Sequence, residues 1–244
     1  MDELTSLLAE LENEDADTVR ILQRIGEKLI NEYVIQVGDV TLDPVLVEAY
    51  YWSDDKKFND TSVHAAKSST RNTYELARKR QKNNFGELYI HFGRSGADVV
   101  LSQGNYYLSF LVKNALNNNG EFKKQIAVCE TVCKDCGSCD VCNKGINCCH
   151  YGEKILKKVP SKNRTVVFTL RKGIADDCEF KNKELAALPI DIIKEYYFTA
   201  GKSRTAIIEE YIKGKLRHNP GEKELSELKE LARGMVSWSK CVEE

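Results

Sequence analysis

The sequence lacks several features that mark special classes of protein. No apolar run approaches the ~20 residues that a helix needs to cross a bilayer, and no internal repeat or low-complexity segment interrupts the chain. Residues 1–17 are acidic and helical in pattern, unlike a signal or transit peptide. We therefore expect a cytoplasmic protein, associated with the nucleoid if it is bacterial.

The sequence also lacks an excess of charge of either sign. Its 36 Lys and Arg residues nearly balance 37 Asp and Glu residues, giving a formal net charge of −1. Any contact with nucleic acid would therefore depend on a local basic patch and not on a global field. At 244 residues, 42% of them apolar, the chain can bury one sizeable core.

Apolar periodicity predicts helices first, then strands, then helices again. Residues 2–12 and 16–31 carry helical stripes, and Asp15 or Asp17 can cap the second helix. This order favours an α+β fold, a single mixed domain with a curved antiparallel sheet flanked by helices. We predict a first hairpin from Tyr33–Val37 and Val45–Trp52, joined through Gly38, Asp43 and Pro44. Further strands are predicted at 86–93, 97–102, 106–113 and 164–171, and helices at 151–158 and from Pro189 to the C-terminus.

Glu48 stands out because it lies inside an otherwise apolar and aromatic predicted strand. Side chains alternate across a strand, so Glu48 shares a face with Leu46, Tyr50 and Trp52. An unpaired buried charge is costly and needs a reason. One reading is an ion pair with Arg or Lys at a strand end. The other is a general base, because a partly desolvated carboxylate beside aromatic rings suits that role.

A series of short motifs surrounds Glu48 in a definite order. They are Ile21–Leu29, Leu46–Tyr50, His64, Ser69–Asn72, Gly86–His91, Tyr107–Lys113, Tyr151–Leu156 and Arg171–Ile174. Their order and content resemble the alkyladenine (3-methyladenine/methylpurine) DNA glycosylase family, over residues 18–116 and 150–188. That family shows V-E-T-E-A-Y, a histidine, T-P-R-N, G-x-L-Y-V-Y, a strand ending L-L-R, G-P-x-K-L and R-V-G-I.

The resemblance implies roles for several of the matching residues. Glu48 matches the general base that activates water, while Tyr50 and His64 match residues that line the base pocket. His91 stands at a stacking tyrosine, and Lys113 at an arginine near the lesion's backbone. The implied DNA contacts are Arg71 and Asn72 in the T-P-R-N match, and Arg94 at the position of a wedge tyrosine. The basic run Arg78, Lys79, Arg80 and Lys82 is a further candidate for phosphate contact because of its charge.

An equally weighted interpretation of the basic run is that it forms the solvent-exposed face of a helix and contacts no phosphate. A second candidate phosphate patch comprises Lys154, Lys157, Lys158, Lys162 and Arg164, beside a predicted helix N-terminus near Gly152.

The activity implied by the resemblance is DNA repair by base excision. Such an enzyme flips an alkylated or deaminated purine out of damaged DNA and hydrolyses its N-glycosidic bond. We expect a monofunctional enzyme, which does not cleave the strand, because no lysine is evident as an imine-forming nucleophile beside Glu48. We also expect a monomer. Two alternatives remain: a non-catalytic damaged-DNA-binding protein on the same scaffold, and a metal- or redox-sensing protein that uses its cysteines.

Seven of the nine cysteines lie between Cys129 and Cys149, a clustering that favours metal over disulfides in a reducing compartment. The C-x2-C-x2-C-x2-C spacing predicts a structural zinc site. An iron–sulfur cluster is the alternative. The ligands would be Cys133, Cys136, Cys139 and Cys142, with Cys129, Cys148, Cys149 and His150 as possible substitutes.

These patterns divide the chain into three parts. Residues 1–117 and 150–188 form the predicted glycosylase-like core, 118–149 a cysteine-rich metal-binding insertion, and 189–244 a helical C-terminal extension.

Overall fold

The computed structural model describes residues 3–13, 15–53, 60–63, 85–91, 96–103, 106–132, 154–171, 180 and 182–190. Within these residues the fold is α+β, with one curled antiparallel sheet and few helices, as the sequence predicts at this level. The predicted C-terminal helices and most of the cysteine block lie outside the described residues.

Three described helices pack against the sheet: α1 (Glu3–Glu10), α2 (Thr18–Glu32) and α3 (Gln125–Val132). The side chain of Asp17 caps α2 by accepting a hydrogen bond of 3.1 Å from the backbone N of Arg20, which confirms one of the two predicted caps. In the part of the chain that is described, every helix is too short or too polar to traverse a lipid bilayer. The third helix was not predicted.

Helix α2 lies close to the sheet because a glycine faces it. A Cβ placed on Gly26 would lie 3.3 Å from both the Ala187 Cβ and a ring carbon of Phe110, closer than most side-chain contacts. The apolar stripe of α2 is buried against this surface as the periodicity predicts. That stripe comprises Ile21, Leu22, Ile25, Leu29 and Ile30.

Nine strands of the described residues form the sheet, and every pairing is antiparallel. The longest, β2, pairs along its length with β5 and on its other side with β1 and β9. The strands are β1 (Tyr33–Val37), β2 (Val40–Ser53), β3 (Leu88–Ile90), β4 (Ala97–Val100), β5 (Tyr106–Leu116), β6 (Phe122–Lys124), β7 (Leu156–Lys158), β8 (Val166–Thr169) and β9 (Ala186–Pro189).

The two faces of the sheet differ in chemistry. On the helix-covered face, Val47, Ala49 and Tyr51 of β2 join the main hydrophobic core with the side chains of all three helices. The intervening Glu48 and Tyr50 project from the other side, which we call the opposite face. The opposite face carries buried polar and charged groups: Glu48, Asp98, Ser109, Thr169 and Arg171.

Two predicted elements were wrong. The first hairpin turns at Gly38, whose φ of 55° suits glycine, while Asp43 and Pro44 lie within β2 and not in the turn. Residues 156–158, predicted as part of a helix, instead form β7 and pair with β1. Residues 186–189, which received no prediction, form β9 beside β2.

Buried tyrosines on the helix-covered face predict a loss of stability at high pH. Burial raises the pKa of Tyr51 to about 12 and also raises the pKa of Tyr106. In the unfolded chain a tyrosine ionises at about pH 10. The stabilisation that comes from keeping these tyrosines neutral is therefore complete below that pH. Above it, the free energy of unfolding falls by about 1.4 kcal/mol per pH unit per tyrosine. Denaturant unfolding at increasing pH measures this fall.

The matched control is Tyr51→Phe, which keeps the ring that lies 5.7 Å from Tyr106 and 6.5 Å from Phe180. This variant should lose stability less steeply in the alkaline range. Parallel curves for the wild type and the variant would show that Tyr51 ionises equally in the folded and unfolded states.

Candidate active site

Glu48 lies at the centre of the sheet, with Leu111 of β5 on one side and Ala186 of β9 on the other. It is 1% exposed, and its Oε2 accepts a hydrogen bond of 3.0 Å from the Tyr50 hydroxyl. Among the described residues, its Oε1 has no hydrogen-bond partner and its carboxylate forms no ion pair. A buried oxygen left without a partner costs stability, so this arrangement favours the general-base reading over the structural ion pair.

Tyr50 is held between Glu48 and a buried cation. The guanidinium carbon of Arg171 lies 4.3 Å from the centroid of the Tyr50 ring, a cation–π contact. Burial, with the neighbouring Glu48 carboxylate, places the pKa of Tyr50 well above its usual value. Tyr50 therefore keeps its proton and remains a donor to Glu48.

Arg171 joins the end of β8 to β2 and to the segment 60–63. Its Nη1 lies 2.6 Å from Oδ2 of Asp60, with both side chains fully buried, and it also donates to the carbonyl of Ala49. Burial alone would lower the pKa of Arg171, but the Asp60, Tyr50 and Glu48 side chains more than offset this, so the pKa is raised. The guanidinium is thus a permanent charge beside Glu48.

The same ion pair fixes a segment that borders the candidate site. Asp60 also accepts a hydrogen bond of 3.0 Å from the backbone N of Ser62. The next residue, Val63, is buried in a small cluster with Tyr107, against which Tyr50 and Trp52 pack. The predicted pocket residue His64 follows Val63 directly but lies outside the described residues.

A second buried acid, Asp98, lies in the same row across the sheet. Asp98 and Glu48 are both opposite Leu111, one from β4 and one from β2. Asp98 Oδ1 lies 2.7 Å from Nε2 of His91, and its Oδ2 accepts a hydrogen bond of 2.9 Å from Ser109. His91 is therefore on the same face as Glu48, as the predicted pocket requires, and its ring orientation is fixed by a carboxylate.

Gly96 leaves the space that the His91 ring occupies. A Cβ there would lie 2.8 Å from Leu111 Cδ1 and 2.9 Å from His91 Nδ1. We expect Gly96→Ala to displace the histidine and to destabilise the fold by about 1–3 kcal/mol, the usual cost of overpacking. Denaturant unfolding measures the loss, and a change below about 0.5 kcal/mol, typical of unconstrained surface positions, would contradict the crowding.

Lys113 lies at a β-bulge on β5. The pairing of β2 and β5 shifts register between Leu46 and Val47, opposite Asn114 and Val112 respectively, and this leaves Lys113 as the extra residue. Val112 and Ala115 both belong to the main core, so the two residues between them project from the opposite face. Lys113 is 2% exposed. Lys113 is therefore a buried lysine on the same face as Glu48, where no nucleophilic lysine was predicted.

Two residues of the second predicted phosphate patch, Lys162 and Arg164, form ion pairs with Asp43. Lys162 Nζ lies 2.7 Å from Asp43 Oδ1 and donates to two backbone carbonyls, and Arg164 lies 2.9 Å from Asp43 Oδ2. Burial, against the effect of Asp43, lowers the pKa of Lys162. Residues 156–158 form β7 and not a helix, and the predicted helix N-terminus near Gly152 lies outside the described residues.

Most of the predicted DNA contacts and metal ligands lie outside the described residues. Of the candidate ligands only Cys129 is described, and it is fully buried in α3 as part of the main core. Among the described residues, no group of three His, Cys, Asp or Glu side chains could hold a metal. The residues outside are His64, Arg71, Asn72, Arg78, Lys79, Arg80, Lys82, Arg94, Cys133, Cys136, Cys139, Cys142, Cys148, Cys149 and His150.

Sequence reasoning missed three members of the cluster around Glu48: Asp60, Asp98 and Arg171. Asp98 had the same signal as Glu48, a carboxylate inside an apolar strand. Arg171 ended a predicted strand and stood in a motif but received no role. Asp60 lies in a polar stretch where nothing distinguishes it from its neighbours.

No family model matches this chain, and comparison with curated proteins finds no match either. The resemblance to the glycosylase family therefore rests on the order of the motifs. The geometry around Glu48 is an independent observation.

Proposed function

We propose that the protein is a DNA repair glycosylase that excises alkylated or deaminated purines by hydrolysis. The observation that carries this proposal is the Glu48 carboxylate, with Oε2 held by Tyr50 at 3.0 Å and Oε1 without a partner among the described residues. One oxygen is thus oriented and the other can accept a proton. A positioned carboxylate of this kind is what general-base activation of water requires.

In the proposed reaction, Glu48 Oε1 takes a proton from a water molecule as the water oxygen attacks the sugar C1′. The new C1′–O bond replaces the C1′–N bond, and the base leaves with the bonding electrons. The negative carboxylate also stabilises positive charge that develops on the sugar. A purine alkylated at N3 or N7 already carries positive charge, so it leaves as a neutral base. A neutral lesion such as hypoxanthine must take up a proton as it leaves.

Aromatic rings on the opposite face support recognition of a flipped base. Trp52 and Tyr107 lie with ring centroids 5.2 Å apart, next to Tyr50. One face of the Tyr50 ring is already covered by Arg171. We propose that the base stacks on the remaining aromatic surface, with His91 bounding the pocket, because purines bind between such rings once they leave the duplex.

The direct test is a panel of duplex and single-stranded oligonucleotides that carry 3-methyladenine, 7-methylguanine, 1,N6-ethenoadenine or hypoxanthine. We expect release of at least one of these bases, measured as free base by chromatography. Tight, salt-sensitive binding to a lesion without base release would select the non-catalytic DNA-binding alternative.

We also propose that the cysteine block binds zinc through Cys133, Cys136, Cys139 and Cys142. Burial of Cys129 in the main core favours these four over a set that includes it. Elemental analysis should find about one zinc per chain, the number that four thiolates hold, in colourless protein. Iron with visible absorbance after anaerobic purification would select the iron–sulfur alternative.

A further inference from the structure

Lys113 differs from Lys28, the other buried lysine of the described residues, and from the partly buried Lys162. Lys28 lies 2.7 Å from both Glu3 and Glu32, and Lys162 lies 2.7 Å from Asp43. Lys113 is more buried than Lys28, yet no carboxylate in the described part of the chain lies within ion-pair distance of its amine. The combination of near-complete burial and no paired carboxylate among the described residues sets Lys113 apart from Lys28 and Lys162.

Alternation along β5 places Lys113 on the same face as Leu111 and Glu48. Leu111, two residues before Lys113, is directly opposite Glu48, so Lys113 is the diagonal neighbour of Glu48 on the same face. Diagonal Cβ atoms across an antiparallel pair are about 7–8 Å apart, within reach of a long side chain. Glu48 and Lys113 are enclosed to the same degree, at 1% and 2% exposure.

From this geometry we propose a second activity: Lys113 forms an imine with the aldehyde of an abasic deoxyribose, and the protein cleaves the strand there. The proposal rests on the proposed function, which generates abasic sites at Glu48. A lysine amine in a desolvated site is a recognised nucleophile towards carbonyl carbon.

The proposed reaction conserves atoms and charge. The lysine Nζ gives up a proton to solvent and adds to the aldehyde carbon C1′ of the ring-opened sugar. The resulting carbinolamine takes up a proton and loses water to give a protonated imine. Glu48 removes a proton from C2′, the C3′–O bond breaks, and the 3′ phosphate group departs with the electron pair. Water then hydrolyses the imine and restores the lysine. No metal or redox partner is needed.

The experiment uses an oligonucleotide that already contains an abasic site, so it does not depend on base release. The full-length protein is incubated with it in the presence of sodium borohydride, which reduces an imine to a stable covalent adduct. We expect a protein–DNA adduct, mapped by mass spectrometry to Lys113, and a nicked strand when borohydride is omitted. Mapping in the wild type avoids reliance on variants that fold poorly.

Two variants complete the design. Lys113→Met should reduce adduct formation and strand nicking to background. Lys123→Arg should leave both unchanged, because Lys123 lies on β6 and pairs with Glu121. Absence of an adduct from protein that releases a damaged base would overturn the lyase proposal alone. An adduct mapped to another lysine would also overturn it. An adduct at Lys113 without base release from any lesion would support the lyase and overturn the proposed glycosylase.

Discussion

Glu48→Gln should lower the rate of base release by about 10²–10⁴-fold, the usual contribution of a general base. Glutamine preserves the shape of the side chain, and its carbonyl oxygen can still accept the Tyr50 hydrogen bond. The amide cannot take a proton from water or carry the negative charge that stabilises the sugar cation. The effect is measured as the single-turnover rate of release of whichever base in the lesion panel is released fastest. Under these conditions substrate binding and product release do not contribute to the measured rate.

The control for this prediction is Glu121→Gln, an exposed carboxylate that pairs with Lys123 far along the chain from the site. Its rate of base release should equal that of the wild type. Lesion binding by Glu48→Gln should also persist, since the aromatic surfaces are intact. A variant that keeps the wild-type rate would remove Glu48 from catalysis, and one that loses both binding and stability would indicate a structural role.

The position of Glu48 could be predicted from sequence because it depends on alternation alone. Any strand that runs through Val47, Ala49 and Tyr51 on its core side must present Glu48 and Tyr50 together on the other. The bounds of β1 and the cap of α2 depend on similarly local signals. The α+β class also follows from the order of local patterns.

The rest of the site depends on contacts between distant segments. Arg171 meets Asp60 only because β9 brings β8 beside β2, and β9 itself is too short to leave a pattern in the sequence. The diagonal position of Lys113 relative to Glu48 depends on which residue of β5 lies opposite Glu48. Both features are set by pairing register, which periodicity does not determine.

Arg171→Met should destabilise the protein by about 3–5 kcal/mol, the usual cost of breaking a buried ion pair by removing one partner. The methionine leaves the Asp60 carboxylate buried without its cation and removes the contact with the Tyr50 ring. It also removes the donor to the carbonyl of Ala49. Denaturant unfolding at neutral pH measures the loss as a lower midpoint with an unchanged slope.

Arg24→Met is the matched control, because Arg24 is 45% exposed and pairs with Glu3 and Glu10 at 3.9 and 3.4 Å. Exposed pairs contribute about 0–1 kcal/mol, so this variant should unfold almost as the wild type does. Adding Asp60→Asn to Arg171→Met should recover part of the loss, since the buried negative charge that Arg171 balances is then removed. If the Arg171 and Arg24 variants were equally stable, the buried pair would not be what holds segment 60–63 beside Glu48, and the orientation of Tyr50 would need another cause.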